Sequence, residues 1–225
     1  MSCQTDLSVA VRQQFQQPKK RSKKKNSASS EDRNVRARIL DRTTELFYSQ
    51  GVNSTGINQI IKEADVAKDT LYRQFPSKDV LVLKTLEQWG RKLSAIWERK
   101  LRRTESPQQL VSRWIKLEKE AIRKEASYNG CPVATIMMEM GRIQDKEIQK
   151  TASAIEKRWL AFLEVELHRF RKEGTLEYSG DISDLAREFL VVYQGGLAMW
   201  RITGSVRYLD QIQSLFLKLI SRART

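Results

Sequence analysis

Apolar residues in this chain recur at steps of three and four almost from end to end. Val35, Ile39, Leu46 and Phe47 set that step first and predict a helix over about 32–50, stopped by Gly51. Ile57, Ile60 and Ile61 continue it on a short second helix that ends at Glu63-Ala64, with Thr55 in front as a good N-cap residue. Asp65 falls in the turn that follows, where a left-handed backbone is expected. Val66 then opens a third helix running through Tyr72, and Phe75-Pro76 closes it. Ser77 is placed to cap a fourth, with Asp79 in its first turn, where a carboxylate favours the helix dipole. Long amphipathic helices are predicted beyond, at about 78–102, 107–126, 132–141, 145–173, 182–203 and 207–222. Pro107 and Pro132 stand at helix starts, and Gly141 and Gly174 near ends. Neither a strand-type alternation nor an internal repeat interrupts the pattern, so the fold class is all-α.

Helix, tight turn, helix at Thr55–Tyr72 is the pattern of a helix-turn-helix, whose second helix enters the major groove. Ile57, Ile60, Ile61, Ala64, Val66 and Leu71 supply the buried side. Ala67, Lys68, Asp69, Thr70 and Arg73 remain for the outer side, where small and polar groups let the backbone approach base edges. Thr55, Tyr72 and Lys78 carry donors at helix ends, where phosphates are held. The acids Asp65, Asp69 and Asp79 are expected to face away. The same pattern also fits a short-helix corner in an ordinary helical domain.

Charge changes this picture only once it is located. The net charge of +14 suggests a polyanionic partner. Residues 1–30 hold seven Lys/Arg against one Asp, whereas residues 31–80 hold eight of each sign. The groove-reading segment is therefore neutral overall, and DNA binding has to rest on where individual groups point. The tail at 1–31, with its run PKKRSKKK, has too little apolar content to bury and is expected to be disordered. It is read as a minor-groove arm, as a solvated tail adding salt-sensitive affinity or, by composition alone, as a nuclear import signal. Cys3 and Cys131 are the only cysteines, which fits a reducing cytoplasm. No apolar run could span a bilayer, and the first residues lack a secretory apolar block. With one histidine, no nucleophile–base pairing, no phosphate loop and no metal-ligand spacing, neither an enzyme nor a metal or cofactor is expected. His168 is read as a surface or interface residue.

The stretch from ILDRTTELFYSQGVNST through INQIIKEADVAKDTLYRQFPSKDVL strongly resembles the TetR/AcrR family of bacterial transcriptional regulators. Thr55, the Ala64-x-Val66 turn, Leu71-Tyr72, Phe75 and Lys78 carry the resemblance at fixed spacing. It implies DNA contacts from Thr55, Lys68, Thr70, Tyr72 and Lys78 and a phosphate contact at the position of Gln74, to which the residue reading adds Ala67 and Arg73. Two positions depart from the family pattern. Asp65 replaces the usual turn glycine, and Gln74 stands where histidine is frequent. The implied organisation is a helix-turn-helix DNA-binding domain at 32–78 joined to a larger helical ligand-sensing and dimerisation domain at 79–225. It implies a ligand-responsive repressor on a near-palindromic double-stranded DNA operator. The alternative is a helical protein-interaction adaptor without sequence-specific DNA binding.

DLAREFLVVYQGGLAMWRITG and VRYLDQIQSLFLKLI each carry broad apolar stripes, with Gly195-Gly196 allowing close helix approach. Homodimerisation through these last two helices, about 182–222, is expected; the stripes could also serve only the core of one chain. NGCPVATIMMEM and RWLAFLEVEL look like the Gly-Cys-Pro-containing YxaF/LmrA-like branch of the family. That likeness implies a small, partly aromatic or otherwise apolar effector. Candidate pocket residues are Trp97, Trp114, Cys131, Met137, Met140, Trp159, Phe162 and Tyr193, aromatic faces mixed with soft sulfur groups. Packing in an ordinary core accounts for the same residues. Cys131 at a helix N-terminus could have a lowered pKa, although a buried structural thiol is the preferred reading.

Overall fold

The computed structural model describes residues 27–124, 128–140 and 145–221, which form helices with no strand among them. The run PKKRSKKK, Cys3 and Gly141 lie outside the described residues. In chain order the helices are α1 (Ser27–Ser49), α2 (Ile57–Ala64), α3 (Lys68–Gln74), α4 (Lys78–Lys100) and α5 (Pro107–Lys124). They continue with α6 (Pro132–Glu139), α7 (Lys146–Lys172), α8 (Ile182–Thr203) and α9 (Arg207–Ser221). No helix among the described residues is long and apolar enough to cross a membrane.

Most of the expected elements are present, and the differences have local causes. α1 begins at Ser27 rather than near Asp32. Lack of apolar content decides burial, not helicity, and no Gly or Pro stands between Ser27 and Ser49 to stop the helix. Residues 30–34 are accordingly exposed. Thr55 is not the N-cap of α2; Gly56 takes that place with no side-chain cap. α3 starts at Lys68, two residues later than expected, because the turn occupies more chain. Asp65 is left-handed (φ 49°, ψ 61°), and the Val66 amide is spent on the Ile61 carbonyl at 3.2 Å. Ala67 is still extended. Ser77 caps α4 as expected, its hydroxyl oxygen accepting from the Val80 amide at 3.2 Å.

Two packed regions result. Ile39 and Phe47 of α1, Ile60 of α2, Leu71 of α3, then Phe75 and Leu81, are all inaccessible and form the small N-terminal core. In the body, α8 lies along α9 and α7, α9 packs on α5, and α7 packs on α4. Trp114, Phe170, Phe189 and Phe216 fill that core. α4 joins the two regions, packing on both α1 and α7. Thr44 of α1 donates to Gln88 of α4 at 2.8 Å, and Gln88 in turn donates to Asp41 at 2.7 Å.

Candidate nucleic-acid interface and sensing core

A seven-residue helix cannot hold itself in water, and α3 is held by α1. At the turn before it, the Arg38 guanidinium donates to the Ala64 carbonyl at 2.8 Å and to the Asp65 carbonyl at 3.1 Å. These are carbonyls that the end of α2 leaves without helical partners. Beyond α3, Arg36 donates to the Gln74 carbonyl and lies 4.3 Å above the Phe75 ring. Asp32 accepts from the Gln74 amide at 2.6 Å and approaches Arg73 to 3.8 Å. Leu71 is buried beneath. Both ends of α3 are thereby fixed while its outer side stays open.

On that outer side Lys68, Tyr72 (41% accessible) and Arg73 are exposed, as is Ala67 just before the helix. Thr70 and Lys78 are half-buried, and Gln74 is partly engaged by Asp32. Two expectations change. Thr55 is wholly inaccessible, donating to the Gly51 carbonyl at 2.6 Å and accepting from the Gln50 amide at 3.2 Å. Its hydroxyl secures the corner and does not reach the surface. Asp69 does not turn away; it is exposed, and at i+3 and i+4 it shares a face with Tyr72 and Arg73.

The body grips α1 through the segment read in sequence as Asn-Gly-Cys-Pro. The Tyr48 hydroxyl accepts from the Asn129 amide and donates to the Gly130 carbonyl, both at 2.9 Å. The Asn129 side chain donates to the Tyr48 carbonyl at 2.9 Å, satisfying an end of α1. Gly130 has φ +83°, a left-handed value that suits glycine. Pro132 then occupies the first turn of α6. At the far end of α6, Glu139 accepts from the Val52 amide at 2.8 Å, and its own carbonyl accepts from Asn53 at 2.8 Å.

Deeper in the body the aromatic residues form one connected cluster. The Trp97 ring lies 4.4 Å from Trp114, 5.5 Å from Trp159 and 5.8 Å from Phe162. Trp114 also meets Tyr193 at 4.9 Å and Phe189 at 5.1 Å. Five of the eight candidate pocket residues (Trp97, Trp114, Trp159, Phe162, Tyr193) are thus brought together. Met137 and Met140 are half-buried on α6 and at its end. Cys131 is buried, and burial pushes its thiol above the usual range. That opposes the reactive thiolate that a helix N-terminus would favour. His168 is exposed, with its Nδ1 3.2 Å from Arg171.

A group not anticipated from sequence lies at the centre of this cluster. Glu118 is buried on α5, accepting hydrogen bonds from Tyr193 at 2.6 Å and from Tyr128. Burial raises its pKa above 4.5, and the two tyrosine hydroxyls offset part of that rise. Helical spacing carried a signal for it: Glu118 falls on the same face of α5 as Leu110, Val111, Trp114, Ile115 and Ala121, all of them buried. Arg36 and Arg38 carry no such signal, because their partners lie 38 and 26 residues further along the chain.

Comparison with known proteins places this geometry. Residues 39–85 match the family described as bacterial regulatory proteins, tetR family, and residues 108–216 match the tetracyclin repressor-like C-terminal domain. The chain belongs to the tetR family of bacterial regulatory proteins. It is therefore a helix-turn-helix, DNA-binding regulator of transcription. The HTH-type regulator YxaF of Bacillus subtilis is 27% identical over 127 residues, covering 56% of this chain but 66% of YxaF, just short of two thirds. LmrA of the same organism is 43% identical over 54 residues, or 24% of this chain and 29% of LmrA. A TetR-family regulator from Agrobacterium tumefaciens shares the fold at a TM-score of 0.72 and 20% identity, over 84% of this chain and 98% of that one. The family match spans both packed regions, so this TetR-family chain has its helix-turn-helix and its aromatic body as parts of one regulator.

Proposed function

We propose that this TetR-family regulator is a ligand-responsive repressor that binds a near-palindromic operator as a homodimer in the cytoplasm. The observation that carries the reading is the pairing of an outward, doubly clamped α3 with an uncovered apolar face on α8. Val191, Gly195, Met199 and Ile202 recur at steps of four, four and three along that face. Val191 is 72% accessible and Ile202 76% accessible, which is costly for a stripe of this length in a lone chain. Gly195 has nothing within 4 Å of where a Cβ would stand, so it leaves room for another helix backbone. Gly196 serves a different contact: a Cβ there would run into the Ile212 side chain of α9, within the same chain. Leu215 and Val206 extend the uncovered surface from α9 and the turn before it. A twofold axis at this face would cover the stripe and present two copies of α3 to successive major grooves.

The proposed DNA contacts are Lys68, Tyr72 and Arg73 from α3 with Ala67 at its start, supported by Thr70, Gln74 and Lys78. Thr55 contributes through the corner that it holds. The effector would act by favouring a separation of the two α3 helices that no longer matches the grooves, and only to the extent of its differential affinity for the two states. The joint between Tyr48 and Asn129-Gly130 supports such coupling, since it ties α1 directly to the body.

Gel shift on DNA flanking the gene, with sedimentation of the free protein, tests the reading. Tyr72→Ala and Lys78→Ala should abolish or strongly weaken binding while leaving the dimer intact. Val191→Glu should yield monomers that bind the operator weakly. A wild-type chain that sediments as a monomer, or binds no adjacent intergenic DNA, would end the proposal.

A further inference from the structure

Between α4 and α7 the body opens to solvent in a cleft of about 290 Å³. Trp97 and Phe162 form its floor, and Ser94, Ala161 and Val165 its walls. Of the eight sequence-derived pocket residues, only these two line it; Trp114 and Tyr193 are packed within the closed cluster behind. Three charges stand on the rim, and two of them cancel. Arg102 engages Glu98 through both ends of its guanidinium, at 2.5 and 2.6 Å. Arg158, on α7, spends only its Nε, on the Ala154 carbonyl at 3.2 Å, and pairs with no carboxylate among the described residues. One uncompensated guanidinium therefore overhangs an aromatic floor.

That combination discriminates by charge as well as by shape. Aromatic faces stack on a flat ring, and a guanidinium offers a carboxylate two parallel hydrogen bonds. A cation of the same outline would gain from the Trp97 face but would lie beneath the Arg158 charge. The volume suits a molecule of one or two rings. We propose that this cleft is a binding site for a small flat aromatic carboxylate. The inference rests on the reading of the body as a small-molecule sensor and names the class of molecule that it takes. The Trp159 ring lies 5.5 Å from that of Trp97, and its buried indole N–H has no acceptor among the described residues. Deeper entry of a ligand oxygen past Trp97 would supply one.

Isothermal titration of the full chain with naphthoate and with naphthylmethylammonium tests the proposal. Naphthoate should bind, and the ammonium about tenfold or more weakly, as expected for loss of a charge-assisted pair. Arg158→Glu should reverse that preference, and Arg158→Lys should keep its sign. Ala161→Trp fills the cleft from an exposed position and should abolish naphthoate binding, with a thermal melt confirming that it folds. Equal affinity for the two probes, no heat with naphthoate at millimolar concentration, or naphthoate binding unchanged by Ala161→Trp would each overturn the assignment. Gel shift of the wild-type chain reports separately on the regulator: failure there would remove the DNA-binding reading and leave the cleft result standing.

Discussion

The two regions of this chain are held by different forces. Around α3 the contacts are directed: Arg38, Arg36 and Asp32 each reach a named atom on a short helix with little area to bury. In the body the contacts are broad: Trp97, Trp114, Phe189 and Phe216 stack and interlock with few hydrogen bonds among them. Directed contacts fix orientation without enclosing a helix, so its outer face stays open for a groove. Area burial stabilises strongly but leaves little freedom at the centre. Within the aromatic cluster the polar exception is Glu118, which is tied to one helix by Tyr193 and to the α1 joint by Tyr128 and its neighbour Asn129.

Trp114→Ala should break the body most severely. The side chain is fully buried and touches three other rings, and truncation of such a residue costs about 3–5 kcal/mol. Urea denaturation followed by circular dichroism would read the loss. If the body were loosely packed the cost would fall well below that range, and the contrast between the regions would weaken.

Arg38→Ala should have a smaller effect on stability and a larger one on DNA affinity. It removes two hydrogen bonds to carbonyls at the turn, a loss of about 1–3 kcal/mol, and frees the entry to α3. Arg38→Lys should restore only part, because an ammonium cannot span both carbonyls as the planar fork does. Parallel loss of stability and DNA affinity by the same factor would show that the clamp acts only on folding.

Glu118→Gln addresses the polar exception by pH. The folded protein raises this carboxyl above its ordinary 4.5 because of burial. Between that ordinary value and the raised one the folded state holds a proton that the unfolded state has released, so stability falls as pH rises through the window. Glutamine stays neutral and can still meet both tyrosines. The variant should flatten the pH dependence on the alkaline side of 4.5 and be the more stable protein at neutral pH. Identical profiles for the two proteins, measured by urea unfolding from acid to neutral pH, would remove Glu118 as the titrating group.

Periodicity alone located the long helices well: 182–203 matches α8 at both ends, and the Ser77 cap and the left-handed Asp65 follow from local chemistry that sequence displays. Legibility stopped where a residue's partner lies far along the chain. Thr55 has the chemistry of a cap or a phosphate contact, and only the fold shows its hydroxyl turned inward to Gly51. Glu118 has the chemistry of a surface residue at a core position of α5, in step with Trp114 and Ala121, and the fold adds the partner 75 residues away, Tyr193. The aromatic residues were recognisable as a group, but which of them line a cleft depended on how α4 meets α7, leaving Trp97 and Phe162 there.

The smallest expected effect lies at Asp65, where the directed region carries its own strain. Asp65 is the only non-glycine residue with positive φ among the described residues. Its backbone cannot relax while Arg38 holds its carbonyl and the Val66 amide is bound to Ile61. Its exposed side chain has no partner to lose among the described residues, so Asp65→Gly removes a steric penalty at the cost of a more flexible unfolded chain. The net gain should be about 0.5–1 kcal/mol. It should be readable as a small rise in the urea midpoint with an unchanged slope. DNA affinity should change little, because the two arginines, and not the turn residue, set the direction of α3. A marked gain in affinity would mean that strain at the turn, rather than the Arg36 and Arg38 clamp, limits how well α3 is presented.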